Sequence, residues 1–548
     1  MKSESSARGG AGRVAAGIFL SRFFGLLRER AVAHFFGVGA LADVFSTAFR
    51  VPNLLQNLLG EGTISAAFIP VYSRLIDQGR EEEAGRFAGA IFGLLLCTVS
   101  LITLLGVVFA REIVSVTAYG YLADAARVTA GEQLVDRFPL AVAAVRIIFP
   151  MTALLVLSAW ALGVLNSHRR FFLAYVAPVL WNSAIIAALV LAALGFYDFG
   201  AEGLEHRLFF AACYGALAGG LLQFLVQVPL VLRLAKGLRL GLSTRIAGVR
   251  EALRAVGPVI AGRGAYQISS LLDGFLATLI AVGAVGAVRW AATLYLLPVS
   301  LFGMSVAAAE LPELSRQRDG ASRAAFVARL RRSLRQMSFL IVPTVIGYLC
   351  FGFLVVGALY RSRGGDFSLA HNWLVFLVLC GYTLGLVATT WTRLVQNAFF
   401  ALSDTRTPAR IAIVRVSISA FAALGLMFAL DRTSLASFVA VEGAGTLRLG
   451  ALGLSLAASL GAWVELFALR FALRSRLPEF TFPVVAATRM IGLASLAAVP
   501  AMLVWSALPA MHVLLSAGIV LSIYAGGYLG LSRWTGAAEL ASWLARWR

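Results

Sequence analysis

The chain has 548 residues, of which 60% are hydrophobic and only 14% are charged, and its formal net charge is +20. This excess of apolar residues excludes an ordinary soluble protein and predicts a polytopic membrane protein. In such a protein the positive charge is typical of basic loops that face anionic lipid headgroups, so we expect membrane lipids and no nucleic acid as partners.

Apolar stretches long enough to cross a bilayer recur along the whole chain. They predict an all-α fold of about fourteen transmembrane helices, with no cleaved signal peptide before the first. The first two are interrupted by charged residues, and Gly60 and Gly62 lie inside the second. In chain order the predicted spans are 11–36, 40–74, 84–110, 138–165, 171–195, 207–234, 251–282, 285–312, 336–360, 371–402, 407–430, 446–474, 484–508 and 511–532.

Basic residues accumulate in every second loop between these spans. Arg74, Arg80 and Arg86 follow the second span, and seven arginines lie between residues 316 and 335 after the eighth. The alternate loops are mixed or acidic, as in residues 111–137. Since basic loops stay on the cytoplasmic side, this pattern predicts that both termini are cytoplasmic.

The basic segment 316–335 also has an apolar face, formed by Phe326, Leu330 and Leu334. Such a pattern is typical of an amphipathic helix lying on the membrane surface. A solvated charged linker fits the same residues equally well.

The ends of the second and eighth predicted helices resemble each other. Aligning Pro52 with Pro298 places Thr47 on Thr293 and brings Asp43 opposite Arg289. The two helices are six spans apart, an even number, so we infer two parallel repeats with a substrate cavity between them. We therefore predict an N-terminal lobe of residues 1–235, a C-terminal lobe of residues 236–476 and a two-helix extension of residues 477–548.

Several charged residues lie at predicted membrane depth, where each costs about 2.5–3.5 kcal/mol on insertion scales. Arginines outnumber acids among them, which indicates a water-filled cavity for an anionic substrate, because the guanidinium fork suits phosphate or carboxylate oxygens. Internal ion pairs, such as Arg28 with Asp43, are the structural alternative. The candidate substrate-binding residues are Arg22, Arg28, Glu29, Asp43, Arg50, Arg263 and Arg289.

The segment 21–71 carries a more specific pattern. It reads "SRFFGLLRERAVAHFFGVGALADVFSTAFRVPNLLQNLLGEGTISAAFIPV" and contains Ser-Arg, Gly-x-x-Arg-Glu, Phe-Gly, Asp-x-Phe, Pro-Asn-Leu-Leu and Glu-Gly. This resembles the N-terminal signature of the MurJ/MviN lipid II flippase family, and the segment 401–413, "ALSDTRTPARIAI", resembles the family's eleventh helix. The helix number and order resemble the family over the whole chain.

The resemblance implies a multidrug/oligosaccharidyl-lipid/polysaccharide exporter fold and no enzymatic activity. The implied substrate is lipid II, an undecaprenyl-pyrophosphoryl disaccharide-pentapeptide, or a related anionic polyprenyl-pyrophosphate glycolipid, carried across the bacterial cytoplasmic membrane by alternating access. The last two helices would then form a groove for the lipid tail. By position, Arg22, Arg28, Glu29, Asp43 and Arg50 match the family's cavity charges.

Three positions depart from the family pattern. Gln56 stands where many relatives have an arginine after Pro-Asn-Leu-Leu. Thr293 stands where the family's eighth-helix arginine is expected, with Arg289 one turn earlier, and Arg263 is an extra cation in the seventh helix. A flippase of another polyprenyl-linked glycan, a drug exporter of the same superfamily and a non-transporting paralogue therefore stay open as alternatives.

Catalysis and bound cofactors have no support in the sequence. The cysteines and histidines lack metal-ligand spacing, and no nucleotide-binding or hydrolase motif is present. We expect no cofactor, and coupling to the membrane potential or to a monovalent ion. Asp273, an acid in the seventh helix, is a candidate cation site, although it could equally pair with Arg263.

Overall fold

The computed structural model describes residues 2–132, 134–196, 203–304, 306–307, 310, 314, 323–509, 511–537 and 539–540, with the side chains of residues 2–15, 261–266 and 268–270 left out. These residues form helices joined by short loops, and no strand occurs among them. The predicted all-α class is therefore confirmed. Residues 316–322 of the basic segment and the side chain of Arg263 lie outside the description.

Twenty-one α-helices occur in the described residues, together with two 3₁₀ turns (Tyr119–Ala123 and Leu435–Ser437) and one π-helical turn (Val299–Met304). In chain order they are α1 Lys2–Phe36, α2 Ala40–Ala48, α3 Arg50–Leu59, α4 Glu61–Ala67, α5 Ile69–Asp77, α6 Glu81–Val108, α7 Ala110–Thr117, α8 Asp124–Thr129, α9 Arg137–Ser167, α10 Phe171–Ala193, α11 Leu204–Leu225, α12 Val228–Leu234, α13 Val249–Thr278, α14 Ala284–Pro298, α15 Arg323–Tyr360, α16 Leu369–Thr383, α17 Leu386–Ala401, α18 Arg406–Asp431, α19 Gly450–Arg474, α20 Val484–Ala507 and α21 Val513–Trp534.

Eleven helices or joined helix pairs within the described residues are long and apolar enough to cross a membrane. The count of fourteen is not confirmed, since the predicted spans 11–36, 40–74 and 251–282 are not among the eleven. All three are helical. They contain every candidate site residue except Arg289, which shows that the charges are concentrated in the least apolar helices.

The predicted second helix, 40–74, is divided into the four short helices α2 to α5. The break between α3 and α4 falls at Gly60, where a side chain would collide with the carbonyl oxygen of Gln56. Glycine is therefore required by close backbone approach at this break. The sequence signal at Gly60 and Gly62 thus marked a real interruption.

The chain divides into two compact units, Met1–Leu279 with Gly364–Asp366, and Ile280–Arg363 with Phe367–Arg548. In the first unit, the core lies between α4, α5, α6 and α9, around Phe68, Tyr72, Phe87 and Trp160. In this unit α13 packs on α3 and α4. The predicted lobe boundaries at residues 235 and 476 stay a prediction.

The second unit has one apolar cluster around α17 and α19 and another between α15, α20 and α21. In the latter, Pro343 interrupts the hydrogen bonding of α15 because proline has no N–H, which leaves the carbonyl of Phe339 without its helical donor. The hydroxyl of Tyr528 donates to this carbonyl at 3.0 Å, and that of Tyr524 donates to the Pro343 carbonyl at 2.7 Å. These bonds fix α21 against α15.

Both interpretations of the basic segment 316–335, a helix on the membrane surface and a solvated linker, are wrong for the part that the structure describes. Its described part, from Arg323, is the beginning of the long helix α15. Phe326, Leu330 and Leu334 are buried in the protein core, so this apolar face does not lie on a membrane surface and is not a solvated linker. The periodicity was correct, but the apolar face packs on protein.

Candidate functional site

In the first unit, Arg28 and Glu29 lie side by side on α1. Their side chains form an ion pair, and the guanidinium carbon of Arg28 lies 4.6 Å from the ring centroid of Trp181 on α10. Glu29 is buried and Arg28 is half-buried. The buried Nε of Arg28 has no acceptor among the described residues. The ring therefore holds the guanidinium in place by a cation–π contact while a hydrogen-bond donor is left over.

Arg22 lies almost two turns earlier on the same helix and is exposed. Seven residues separate it from Glu29, so the two share one face of α1. α1 therefore carries an exposed cation, Arg22, and a half-buried cation, Arg28, that is paired with Glu29.

Arg50 begins α3 and is held by two other parts of the first unit. Its Nη1 donates to the carbonyl of Thr117 at the end of α7, at 3.0 Å. Its guanidinium lies against Gly274 of α13, where a side chain would overlap it. The preceding residue on α13 is the half-buried Asp273. The structure thus brings Arg50 next to the helix that carries the candidate cation-site acid.

Asp43 is enclosed in a buried charge network that the sequence did not predict. Nη1 of Arg137 donates to Oδ2 of Asp43 at 3.0 Å, and Nε and Nη2 of the same guanidinium donate to Asp124 at 2.6 and 3.0 Å. All three side chains have no exposed surface. In this conformation Asp43 cannot contact a substrate, and its predicted binding role stays a prediction.

The surroundings of the network explain why this arginine is buried. Its guanidinium carbon lies 4.3 Å from the ring centroid of Tyr121, and the Tyr121 hydroxyl is 3.0 Å from that of Thr47. Two carboxylates and an aromatic face replace the lost water shell. In the sequence, Arg137 reads as the end of a mixed loop, 94 residues from Asp43, and no local signal links the two.

In the second unit, the candidate residue is Arg289 on α14. It is half-buried, and its guanidinium carbon lies 5.1 Å from the ring centroid of Trp290. The hydroxyl of Thr293 donates to the backbone carbonyl of Arg289 at 3.0 Å, so Thr293 uses its donor within the helix. Of the two positions, only Arg289 presents a cation.

The second unit contains a buried acid that was not predicted from the sequence. Glu465 on α19 is buried, and its carboxylate accepts from Gln396 at 3.0 Å and lies 3.5 Å from Nε of Arg415. Its sequence context, "AWVELFALR", reads as an ordinary span with one acid. The sequence signal that could have identified Glu465 is its charge, because an ionisable residue inside a membrane helix requires a partner.

The segment 401–413 has a structural explanation in Asp404. Its Oδ1 accepts from the backbone N–H of Thr407 at 3.0 Å and its Oδ2 from the Thr407 hydroxyl at 2.8 Å, which caps the start of α18. These bonds, and the nearby Arg476, hold the pKa of Asp404 below its ordinary value. In this segment, Asp404 therefore stabilises the start of α18 and contacts Arg476 in the loop after α19.

Comparisons with known proteins now decide the family. The family model described as "Lipid II flippase MurJ" matches residues 32–526. The chain belongs to the MurJ lipid II flippase family. A Burkholderia cenocepacia protein named lipid II flippase MurJ is 30% identical over 461 residues, which covers 83% of this chain and 82% of the relative.

Solved structures agree on the fold. A structure titled "Lipid II flippase MurJ, inward closed conformation" superposes with a TM-score of 0.68 at 20% identity, covering 95% of this chain and 98% of the other. An inward-facing multidrug resistance MATE family transporter of the MOP superfamily superposes with a TM-score of 0.61 at 14% identity, covering 86% and 98%. The predicted exporter fold and family are confirmed.

Proposed function

We propose that this protein is a flippase that carries lipid II from the inner to the outer leaflet of the bacterial cytoplasmic membrane. The observation that carries the proposal is the family match over residues 32–526. The Burkholderia cenocepacia relative, named as a lipid II flippase, supports it over four fifths of both chains. The function is transport across a membrane, and we propose no chemical change of the substrate.

Arg28 and Arg50 are the groups we assign to the substrate pyrophosphate. Both are permanently charged and half-buried, and neither is enclosed as Arg137 is. The guanidinium of Arg28 lies against Trp181, and Arg50 is held at the start of α3 by Thr117. Arg22, exposed on α1, would attract the anion first. Glu29 would orient Arg28 through their ion pair.

In the C-terminal lobe, we propose that Arg289 supplies the charge that Thr293 lacks. A helix rises about 1.5 Å per residue, so the four-residue shift moves the charge about 6 Å along the axis on nearly the same face. Arg263 is the second candidate for this charge. Movement between lobes of residues 1–235 and 236–476, with α20 and α21 serving the lipid tail, would complete the transport cycle.

We propose that transport uses the membrane potential or a monovalent ion and no bound cofactor. Asp273 is the proposed cation ligand because it is a half-buried carboxylate on α13.

A growth assay in a bacterium depleted of its own lipid II flippase tests the function. We expect the unchanged chain to restore growth and Arg28→Ala to abolish it, because alanine removes both the charge and the fork that bind phosphate oxygens. Arg289→Ala should impair growth strongly, and adding Thr293→Arg to it should restore part of the loss.

Arg170→Ala is the matched control, since Arg170 is an exposed loop arginine of the same unit and should tolerate the change. Membrane levels of every variant are measured by immunoblot. Normal growth on Arg28→Ala alone would remove Arg28 from the site. Failure of the unchanged chain, at normal membrane level, would favour another polyprenyl-linked glycan or a non-transporting paralogue.

A further inference from the structure

A basic cavity lies in the second unit, among α15, α20 and the residues that follow α21. Its volume is about 390 Å³, within the range of small-ligand sites. Three arginines line it, against one acid, Glu539. The arginines are Arg331, Arg335 and Arg489. The cavity therefore carries an excess of positive charge that none of the proposed lipid II contacts uses.

The arginines are fixed in position by bonds that leave further donors. Arg331 donates to the backbone carbonyl of Glu479 at 2.9 Å and to the Thr481 hydroxyl. Arg335 pairs with Glu539, and Arg489 donates to the carbonyl of Thr535. Since each guanidinium has five N–H donors, an anion can still be bound by the remaining ones.

The beginning of α20 adds to the same field. Val485 and Ala486, in its first turn, line the cavity. The first amide groups of a helix have no intrahelical acceptor and carry the positive end of the helix dipole. Helix start and guanidinium groups thus favour the same kind of ligand, an anion with several oxygen atoms.

The face of α20 beyond the cavity is apolar and exposed. At 100° per residue, Val485, Arg489, Leu496, Val499 and Leu503 fall within about 80° of one another around the helix. The four aliphatic side chains of this set are exposed. A ligand with its phosphate at Arg489 and hydrocarbon chains along this face would satisfy both parts of the surface, which a soluble phosphate would not.

We propose that this cavity binds the phosphodiester headgroup of an anionic membrane phospholipid, whose acyl chains lie along the exposed face of α20. The loops at this end are those that the arginine bias places in the cytoplasm, so the lipid would come from the inner leaflet. Such a lipid would hold the last two helices against α15.

The test measures lipid binding to the purified full-length protein in a neutral detergent by native mass spectrometry. The probes are phosphatidylglycerol and phosphatidylcholine with identical chains. The unchanged protein should bind phosphatidylglycerol more tightly than phosphatidylcholine. Arg489→Gln should raise the dissociation constant for phosphatidylglycerol about fivefold, the effect of one cation near an anionic headgroup, and Arg489→Lys should keep most of the affinity.

Arg332→Gln is the matched control, because Arg332 is exposed on α15 and does not line the cavity. Arg331→Gln is a second variant, in case the loss of the Arg489 bond to Thr535 disturbs the fold. Equal phosphatidylglycerol binding by Arg489→Gln, Arg331→Gln and the unchanged protein would overturn the proposal.

Sodium phosphate, followed by thermal unfolding, separates the two sources of phosphate. We expect no stabilisation by sodium phosphate at lipid-matched concentrations. Stabilisation equal to that by phosphatidylglycerol, lost in Arg489→Gln, would assign the cavity to a soluble phosphate and overturn the lipid assignment. Growth of the flippase-depleted host is a separate readout, so this proposal and the lipid II function can fail independently.

Discussion

Arg137 differs in its surroundings from the candidate binding residues Arg28 and Arg50. Arg137 is fully enclosed and bonded to two carboxylates, whereas Arg28 and Arg50 are half-buried with an aromatic ring or a backbone carbonyl as support. A fully buried cation without partners would be very costly, and Arg137 is compensated by two carboxylates, whereas Arg28 has one, that of Glu29. Arg28 and Arg50 retain partial exposure, which an anion-binding role requires.

We expect the buried network around Arg137 to contribute to folding stability. Arg137→Gln leaves Asp43 and Asp124 buried without their counter-charge, which we expect to cost about 3–5 kcal/mol of folding stability. The measurement is thermal unfolding of the purified protein in detergent. Asp43→Asn added to Arg137→Gln should recover part of the loss, because it removes one of the two orphaned charges.

Arg127→Gln is the control for this variant. Arg127 also faces Asp124, at 3.9 Å, but its side chain is 40% exposed. Exposed pairs contribute about 0–1 kcal/mol, so the apparent Tm should hardly change. Equal losses for Arg137→Gln and Arg127→Gln would show that burial does not govern the energy of this network.

Among the elements, α6 has an unusual surface. Gly85, Gly89 and Gly93 recur every four residues on one face, and the backbone of residues 236–241 runs directly against them. A side chain at any of the three would collide with a carbonyl oxygen of that segment. The basic loop after the sixth predicted helix is therefore packed along a helix, which its charge alone did not indicate.

Gly89→Ala should consequently destabilise the first unit by about 1–3 kcal/mol, because its added methyl group would have to displace the backbone at Arg239. Thermal unfolding again provides the measurement. Gly492→Ala is the matched control in α20, where the new methyl group meets nothing within 4 Å. It should gain up to about 1 kcal/mol from helix propensity. A change in stability of the same sign for Gly89→Ala and Gly492→Ala would contradict the packing argument.

At the scale of the whole molecule, the arginine bias predicts one orientation for the entire chain. The loop around residue 240, the start of α15 at residue 325 and both termini should be cytoplasmic, and the 111–137 region should be periplasmic. Fusions of a periplasm-active and a cytoplasm-active reporter at residues 132, 240 and 325 measure this directly. Periplasmic activity at 240 or 325 would reverse the orientation or change the helix count.

The number of transmembrane helices depends on whether the three charged segments 11–36, 40–74 and 251–282 cross the membrane. Fourteen spans place the termini on the same side, and so does any other even number. Reporter activity on opposite sides at residues 38 and 79 would establish that α2 to α5 together cross the membrane, although none of the four is long enough alone. Activity on one side would show that the broken segment returns to the side where it entered.

The sequence by itself determined the fold class, the family and the position of the eleven apolar segments of the described residues that are long enough to cross a membrane. Apolar runs must become helices in a bilayer because each backbone polar group needs a partner within its own segment, and this requirement is local. The motif in residues 21–71 is equally local, and the family match confirmed it. For the same reason the charged residues of α1 and α3 could be named as candidates without a structure.

Only the tertiary structure decided which of those charges are enclosed. Asp43 meets Arg137 across 94 residues, and Phe326 packs inside the second unit instead of on a lipid surface. Periodicity gives the face of a helix but not its neighbour, which depends on how distant segments pack. Contacts between residues far apart in the sequence produce three such features: the enclosure of Asp43, the path of residues 236–241 along α6 and the basic cavity at α20.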